Sequence, residues 1–192
     1  MARSFTRQEK ETIKKNLMEI CKKSWTQYGY KKTSVDDICK KAGISKGAFY
    51  IFFKSKEALF CEVLCSVQEQ ICNTAANIIE ENKNKYGVAE ALKFIYQEYD
   101  KNNFLYNSDS TDFTILMNRL PDEQVKRIKN ATYMGRQLFL DKPYLKLKID
   151  TDMAVSVIYS LIMNIKNKDV LPHSHIETFN FMVNNLIGNL YE

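Results

Sequence analysis

With 192 residues the chain has room for one sizeable core, or for a small domain fused to a larger one. It holds no apolar run of about eighteen residues and no apolar centre in its opening MARSFTRQEKET, so neither a membrane span nor a signal peptide is expected. Its five cysteines, an odd number, fit a reducing compartment better than a disulfide framework, and a cytoplasmic location follows. The net charge of +5 is unevenly shared: residues 1–56 carry fourteen Lys or Arg against five Asp or Glu, and the remainder is mildly acidic. A basic head on an acidic body points to a head that meets a polyanion.

Scarce Gly (6) and Pro (3), with long stretches of helical periodicity, predict an all-α fold. Thr6-Arg7-Gln8-Glu9 is a capping box that opens a first helix. Ile13, Leu17, Ile20, Cys21, Ser24, Trp25 and Tyr28 form its apolar face, and Gly29 ends it. Thr33 or Ser34 caps a second helix, whose first turn carries Asp36 and Asp37. Gly43 supplies a turn, and Ser45 caps a third helix from Lys46 to about Phe53. Gly47 and Ala48 lack the bulk that would hold this helix away from base edges in a major groove. Phe49 and Phe53 anchor it, and Tyr50 faces outward with a hydroxyl for phosphate. Ser55 caps a fourth helix, and Lys54 and Lys56 flank its N-terminus, a combination suited to phosphate.

Taken together, Ile13, Gly29, Tyr30, Thr33, Ser34, Ile38, Ala42, Gly43, Ser45, Lys46, Gly47, Phe49, Tyr50, Phe53, Ser55, Lys56 and Leu59 resemble the DNA-binding domain of the tetracycline-repressor (TetR) family of transcriptional regulators. The resemblance covers roughly residues 6–65. It implies a helix-turn-helix domain over 1–55 and an effector-binding and dimerisation domain over 56–192. It further implies phosphate contacts from Thr33, Ser34, Tyr50 and Lys56, and base-edge contacts from Lys46, Gly47 and Ala48. Cys21, Cys39 and Trp25 are packing exchanges against the family pattern, and Phe52 replaces a more polar residue.

Beyond the head, a long helix is expected from Lys56 to about Glu81, with a polar break over 82–87. Val88, Leu92, Ile95 and Tyr99 mark the next helix. A shorter one reaches Leu120, and another runs from Pro121 to about Phe139. Between Ala154 and Ile165 the chain is apolar around most of a helical circumference, including Val157, Ile158 and Leu161. Such a helix must be covered on more than one side. Ile176, Phe179, Val183, Leu186 and Leu190 recur in steps of 3, 4, 3 and 4, a seam suited to another helix. The seam alone allows packing within one chain or between two; the family resemblance implies a homodimer.

Tyr99, Phe104, Phe113, Met117, Tyr133, Met134, Tyr159 and Met163 are the candidates for an effector pocket, for an apolar or aromatic molecule. Cys61, Cys65 and Cys72 share one helix face and raise a thiol-sensor alternative. His173 and His175 lack further ligands at metal spacing, so neither a metal nor another cofactor is expected. Walker, G-x-S-x-G, G-x-G-x-x-G and H-E-x-x-H motifs are absent, and no enzyme is expected. The expectation is a ligand-responsive regulator, with repression as the default sign. As a homodimer it would bind a palindromic double-stranded DNA operator and be released by a small molecule. A partner-binding protein without specific DNA recognition is the other rival.

Overall fold

The computed structural model describes residues 5–140 and 142–192, and for 132–136 the backbone alone. Among the described residues the fold is all-α, with nine α-helices and two 3-10 helices, Asn103–Leu105 and Asn164–Val170. The α-helices are α1 (Arg7–Lys32), α2 (Val35–Ala42), α3 (Lys46–Phe52), α4 (Lys56–Asn82), α5 (Lys85–Lys101), α6 (Thr111–Arg119), α7 (Asp122–Gln137), α8 (Thr151–Met163) and α9 (His175–Leu190). Among the described residues one isolated antiparallel bridge joins Leu147 to Tyr191. Among the described residues no helix is long and apolar enough to cross a membrane.

The chain forms two compact units. The first holds the chain up to Val67 together with Asn107–Ile128; the second holds Gln68–Tyr106 and Lys129–Glu192. Helix α4 therefore gives its first half to one unit and its second half to the other.

In the first unit the capping box forms as the sequence predicts: Thr6 Oγ1 accepts from Glu9 N, and Thr6 N donates to Glu9 Oε2. Leu17, Cys21, Trp25, Ile38, Phe49, Leu59 and Phe60 are buried in its core. Phe60 is the hub, with ring centroids 4.6 Å from Trp25 and 5.1 Å from Tyr30, the latter edge-on. Gly29 breaks the path of α1 at φ +78°, a left-handed geometry that favours glycine, and the helix resumes to Lys32. A second constraint acts at the same place. Asp112, from α6, accepts from Lys31 N at 3.1 Å, and a Cβ on Gly29 would lie 2.6 Å from its Oδ2.

At the far side of this contact Arg119 donates to the Tyr30 hydroxyl at 3.3 Å, and Tyr30 donates to Glu57. Burial opposes ionisation of Glu57. The Tyr30 hydroxyl, its own backbone amide, Ser55 and Arg119 outweigh that and hold the carboxyl below the usual carboxylate range. A group lowered by folding stabilises above its unfolded value, and the contribution is lost as pH falls through the folded one. Glu57→Gln is expected to make stability fall less steeply on acidification below about pH 4.3, the ordinary glutamate value. Urea melts at neutral and acid pH check this; equal slopes in the two proteins would rule it out.

In the second unit α5 starts earlier than the sequence reading has it. Asn84 Oδ1 accepts from Tyr86 N and Gly87 N, so Tyr86 and Gly87 lie within the helix rather than in a polar break. Its Tyr96 ring stacks on Phe179 of α9 at 3.8 Å. His175 Nδ1 lies 3.3 Å from the Tyr96 hydroxyl, and Lys168 pairs with Asp100 at 2.6 Å. The chain end is fixed by Tyr191, whose hydroxyl donates to Phe139 O at 3.0 Å.

Candidate functional site

Helices α2 and α3 are built by their caps. Ser34 Oγ accepts from Asp37 N at 3.0 Å and starts α2. Gly43, at φ +69°, closes it, and Ile44 N reaches back to Cys39 O at 3.1 Å. Two residues later Ser45 Oγ accepts from Ala48 N at 3.1 Å and starts α3. Ile38 and Phe49 are fully buried and pin the two helices to the core.

What α3 leaves outside is a small-residue face ringed by polar groups. Ser45, Lys46, Gly47, Tyr50 and Lys54 are all exposed, and Ala48 is half-buried. A Cβ on Gly47 would meet no more than Ser45 Oγ at 3.9 Å, and its backbone is not left-handed. The fold therefore does not need a glycine there. Lys46 pairs with Asp36 across the turn at 3.1 Å, and this holds its ammonium charged. Ile51 is 60% exposed beside Tyr50. It escaped the sequence reading because an isoleucine between aromatic anchors reads as core.

Two expected phosphate ligands are spent inside the chain. The Thr33 hydroxyl is buried and donates to Gly29 O at 2.8 Å, closing the turn after α1. The Lys56 ammonium donates to Tyr30 O at 2.6 Å and sits 4.0 Å over the Tyr30 ring. Burial lowers its pKa. Phe52, at the less polar position, packs near Phe5 at 6.1 Å between centroids.

The second unit contains a cavity of about 110 Å³ between α4, α5, α7 and α8. Of the candidate pocket residues, Tyr99, Tyr159 and Met163 line it. Phe104 is buried away from it, and Phe113 and Met117 belong to the first unit, because α6 returns to pack beside α1. The side chains of Tyr133 and Met134 lie outside the described residues. The sequence reading missed Gln68, Ile71, Ile95 and Ile162 as lining residues; the three isoleucines sit on apolar helix faces indistinguishable from core, and Gln68 carries no sequence signal of a cavity wall. Cys72 also lines the cavity, whereas Cys61 and Cys65 are buried in the first unit.

Of the seam residues proposed for a dimer, Ile158, Leu161, Ile165, Phe179, Val183 and Leu190 are already buried within the chain, and Val157, Ile176 and Leu186 are half-buried. Phe179 is covered by α5. The exposed apolar residues of α8 and α9 are Met153, Tyr159 and Phe181. His173 pairs with Glu177, one turn away on α9, at 2.7 Å. Among the described residues no group of three or more His, Cys, Asp or Glu gathers as a metal site.

A capped helix-turn-helix presenting a bare, basic-edged helix defines a DNA-binding head. Residues 21–63 match the model of the bacterial regulatory proteins of the tetR family. The N-terminal domain of this chain is similar to that family over those residues. It is similar to the HTH-type transcriptional regulator YhgD of Bacillus subtilis, 40% identical over 67 residues, or 35% of each chain. AcrR of Shigella flexneri is 36% identical over 63 residues, 33% of this chain and 29% of its own. The chain thus aligns with about a third of the length of these curated relatives. Over nearly its whole length the fold is similar to that of FadR from Bacillus subtilis, solved with stearoyl-CoA. That match has a TM-score of 0.68 at 15% identity and covers 92% of this chain and 98% of that one.

Proposed function

We propose that the chain is a ligand-responsive transcriptional regulator that binds a palindromic operator as a homodimer, with repression as its default sign. A small apolar or aromatic molecule held in the second unit releases it. The observation that carries the DNA-binding part is Gly47. The fold leaves space for a side chain there and the sequence leaves it empty, which suits a helix whose neighbour is another molecule. Lys46, Tyr50 and Lys54 surround that gap, and Ile51 adds an apolar edge of the kind that meets a thymine methyl. Ser34, Ser45 and Ala48 complete the contact set, with Thr33 and Lys56 holding the head in shape.

One reading helix of seven residues makes few contacts, and a second copy at fixed spacing doubles them. Exposed Phe181 on α9 and Tyr159 on α8 support pairing of two chains. The lining of the cavity, aliphatic and aromatic with a few polar groups, supports an apolar ligand.

The test is selection of bound sequences from random duplex DNA with the purified full chain. One enriched palindrome is expected, with binding that weakens steeply with salt at a log–log slope of about −0.9 per neutralised phosphate. A folded dimer that enriches nothing would turn the reading toward a protein partner.

A thiol switch on the same head is a second reading, favoured by Cys61. A hydrogen bond with Cys65 leads the effects that lower its pKa, against burial and with help from Arg127. A Cys61→Ser, Cys65→Ser chain that still loses DNA on mild oxidation would end that reading.

A further inference from the structure

Gln68, on α4, lines the cavity of the second unit, and its side-chain Oε1 is buried with no hydrogen-bond partner. Buried polar atoms are nearly always paired, and an orphan calls for an explanation. Around it the wall is aliphatic and aromatic, with Ile71, Ile95, Ile158 and Phe139 among its members. Among the described residues, Tyr99, Tyr159 and Cys72 are the other lining residues whose side chains carry a hydroxyl or thiol. We infer that this cavity selects a small uncharged molecule, about one aromatic ring in size, that donates one hydrogen bond to Gln68 Oε1. The inference rests on the reading of the cavity as the effector site and specifies what enters it.

Size, polarity and charge each contribute. A cavity of about 150 Å³ lined by apolar side chains holds benzene, and the space here is about 110 Å³. A pure hydrocarbon would fill it and leave the Gln68 oxygen unpaired. A molecule with a hydroxyl or N–H at its edge satisfies that oxygen in a dry setting, where the bond is strong. An anion fits poorly, because it brings a second acceptor to an acceptor. The surroundings also disfavour negative charge: Tyr99 is pushed up to about 12, first by burial and then by Cys72 and Tyr159.

The test uses three para-substituted rings of matched shape, p-cresol, p-xylene and p-toluate, titrated calorimetrically into the full chain without DNA. Gln68→Leu and Gln68→Met are titrated alongside, with thermal melts to confirm folding. Losing the acceptor is expected to weaken p-cresol about tenfold and to leave p-xylene within about threefold, as for one neutral hydrogen bond made in a buried site. The inference is overturned if the substitutions move cresol and xylene alike, if p-toluate binds tightest, or if neither neutral ring binds. Operator release is measured separately on the selected palindrome. Cresol that binds through Gln68 but leaves operator affinity unchanged would sink the release mechanism and uphold the specificity of the cavity. Release by a molecule lacking a donor, with no cresol binding, would do the reverse.

Discussion

Leucine at position 47 is expected to cut operator affinity by about 100-fold or more while leaving the protein at least as stable as before. Specific sites are typically bound about 10³-fold or more above random DNA, so loss of close approach has that much to remove. The two effects have opposite signs for one reason. Inside a helix, leucine is favoured over glycine by about 1 kcal/mol, and the added Cβ meets nothing nearer than Ser45 Oγ at 3.9 Å. The folded chain gains, while a partner lying against α3 is pushed away. Fluorescence anisotropy on the selected operator reads the first effect and thermal melting the second. Unchanged affinity would show that α3 is not the reading helix.

The largest effect on stability is expected from Phe60→Ala. Phe60 is fully buried on α4, between Trp25 and Tyr30 of α1, with the Lys56 ammonium 5.5 Å from its ring. Removing a buried aromatic side chain costs about 3–5 kcal/mol, from lost burial and from a cavity that closes incompletely. Against a total of about 5–15 kcal/mol, that leaves a marginal fold. Urea unfolding followed by tryptophan fluorescence is well placed to report it, because the single tryptophan, Trp25, is the neighbour that loses its partner. A loss under about 1 kcal/mol would mean that α1 and α4 are not held together here.

The head was legible because its signals are local. Thr6 with Glu9, Ser34, Gly43 and Ser45 each act within a few residues, so order in the sequence is order in space. The role of Lys56 was not legible, since its choice between solvent and the Tyr30 carbonyl depends on how α1 ends. In the body, periodicity shows that Phe179 and Val183 face a helix but not which helix; in the structure Phe179 meets Tyr96 of α5. The same limit hid the cavity. Tyr99, Tyr159 and Met163 stand out by residue type, whereas Gln68 carries no such mark, and its buried oxygen follows from how α4 packs against its neighbours.

The contact between Asp112 and the turn after α1 bears on how such proteins can be recombined. The carboxylate that receives Lys31 N comes from residue 112, far along the chain from residues 21–63, which match the family model. A chimera cut after Val67 would carry the reading helix but leave that amide without its acceptor, and Tyr30 without Arg119. The portable module is therefore discontinuous: residues 107–128 must travel with the head if it is to be grafted onto a different body.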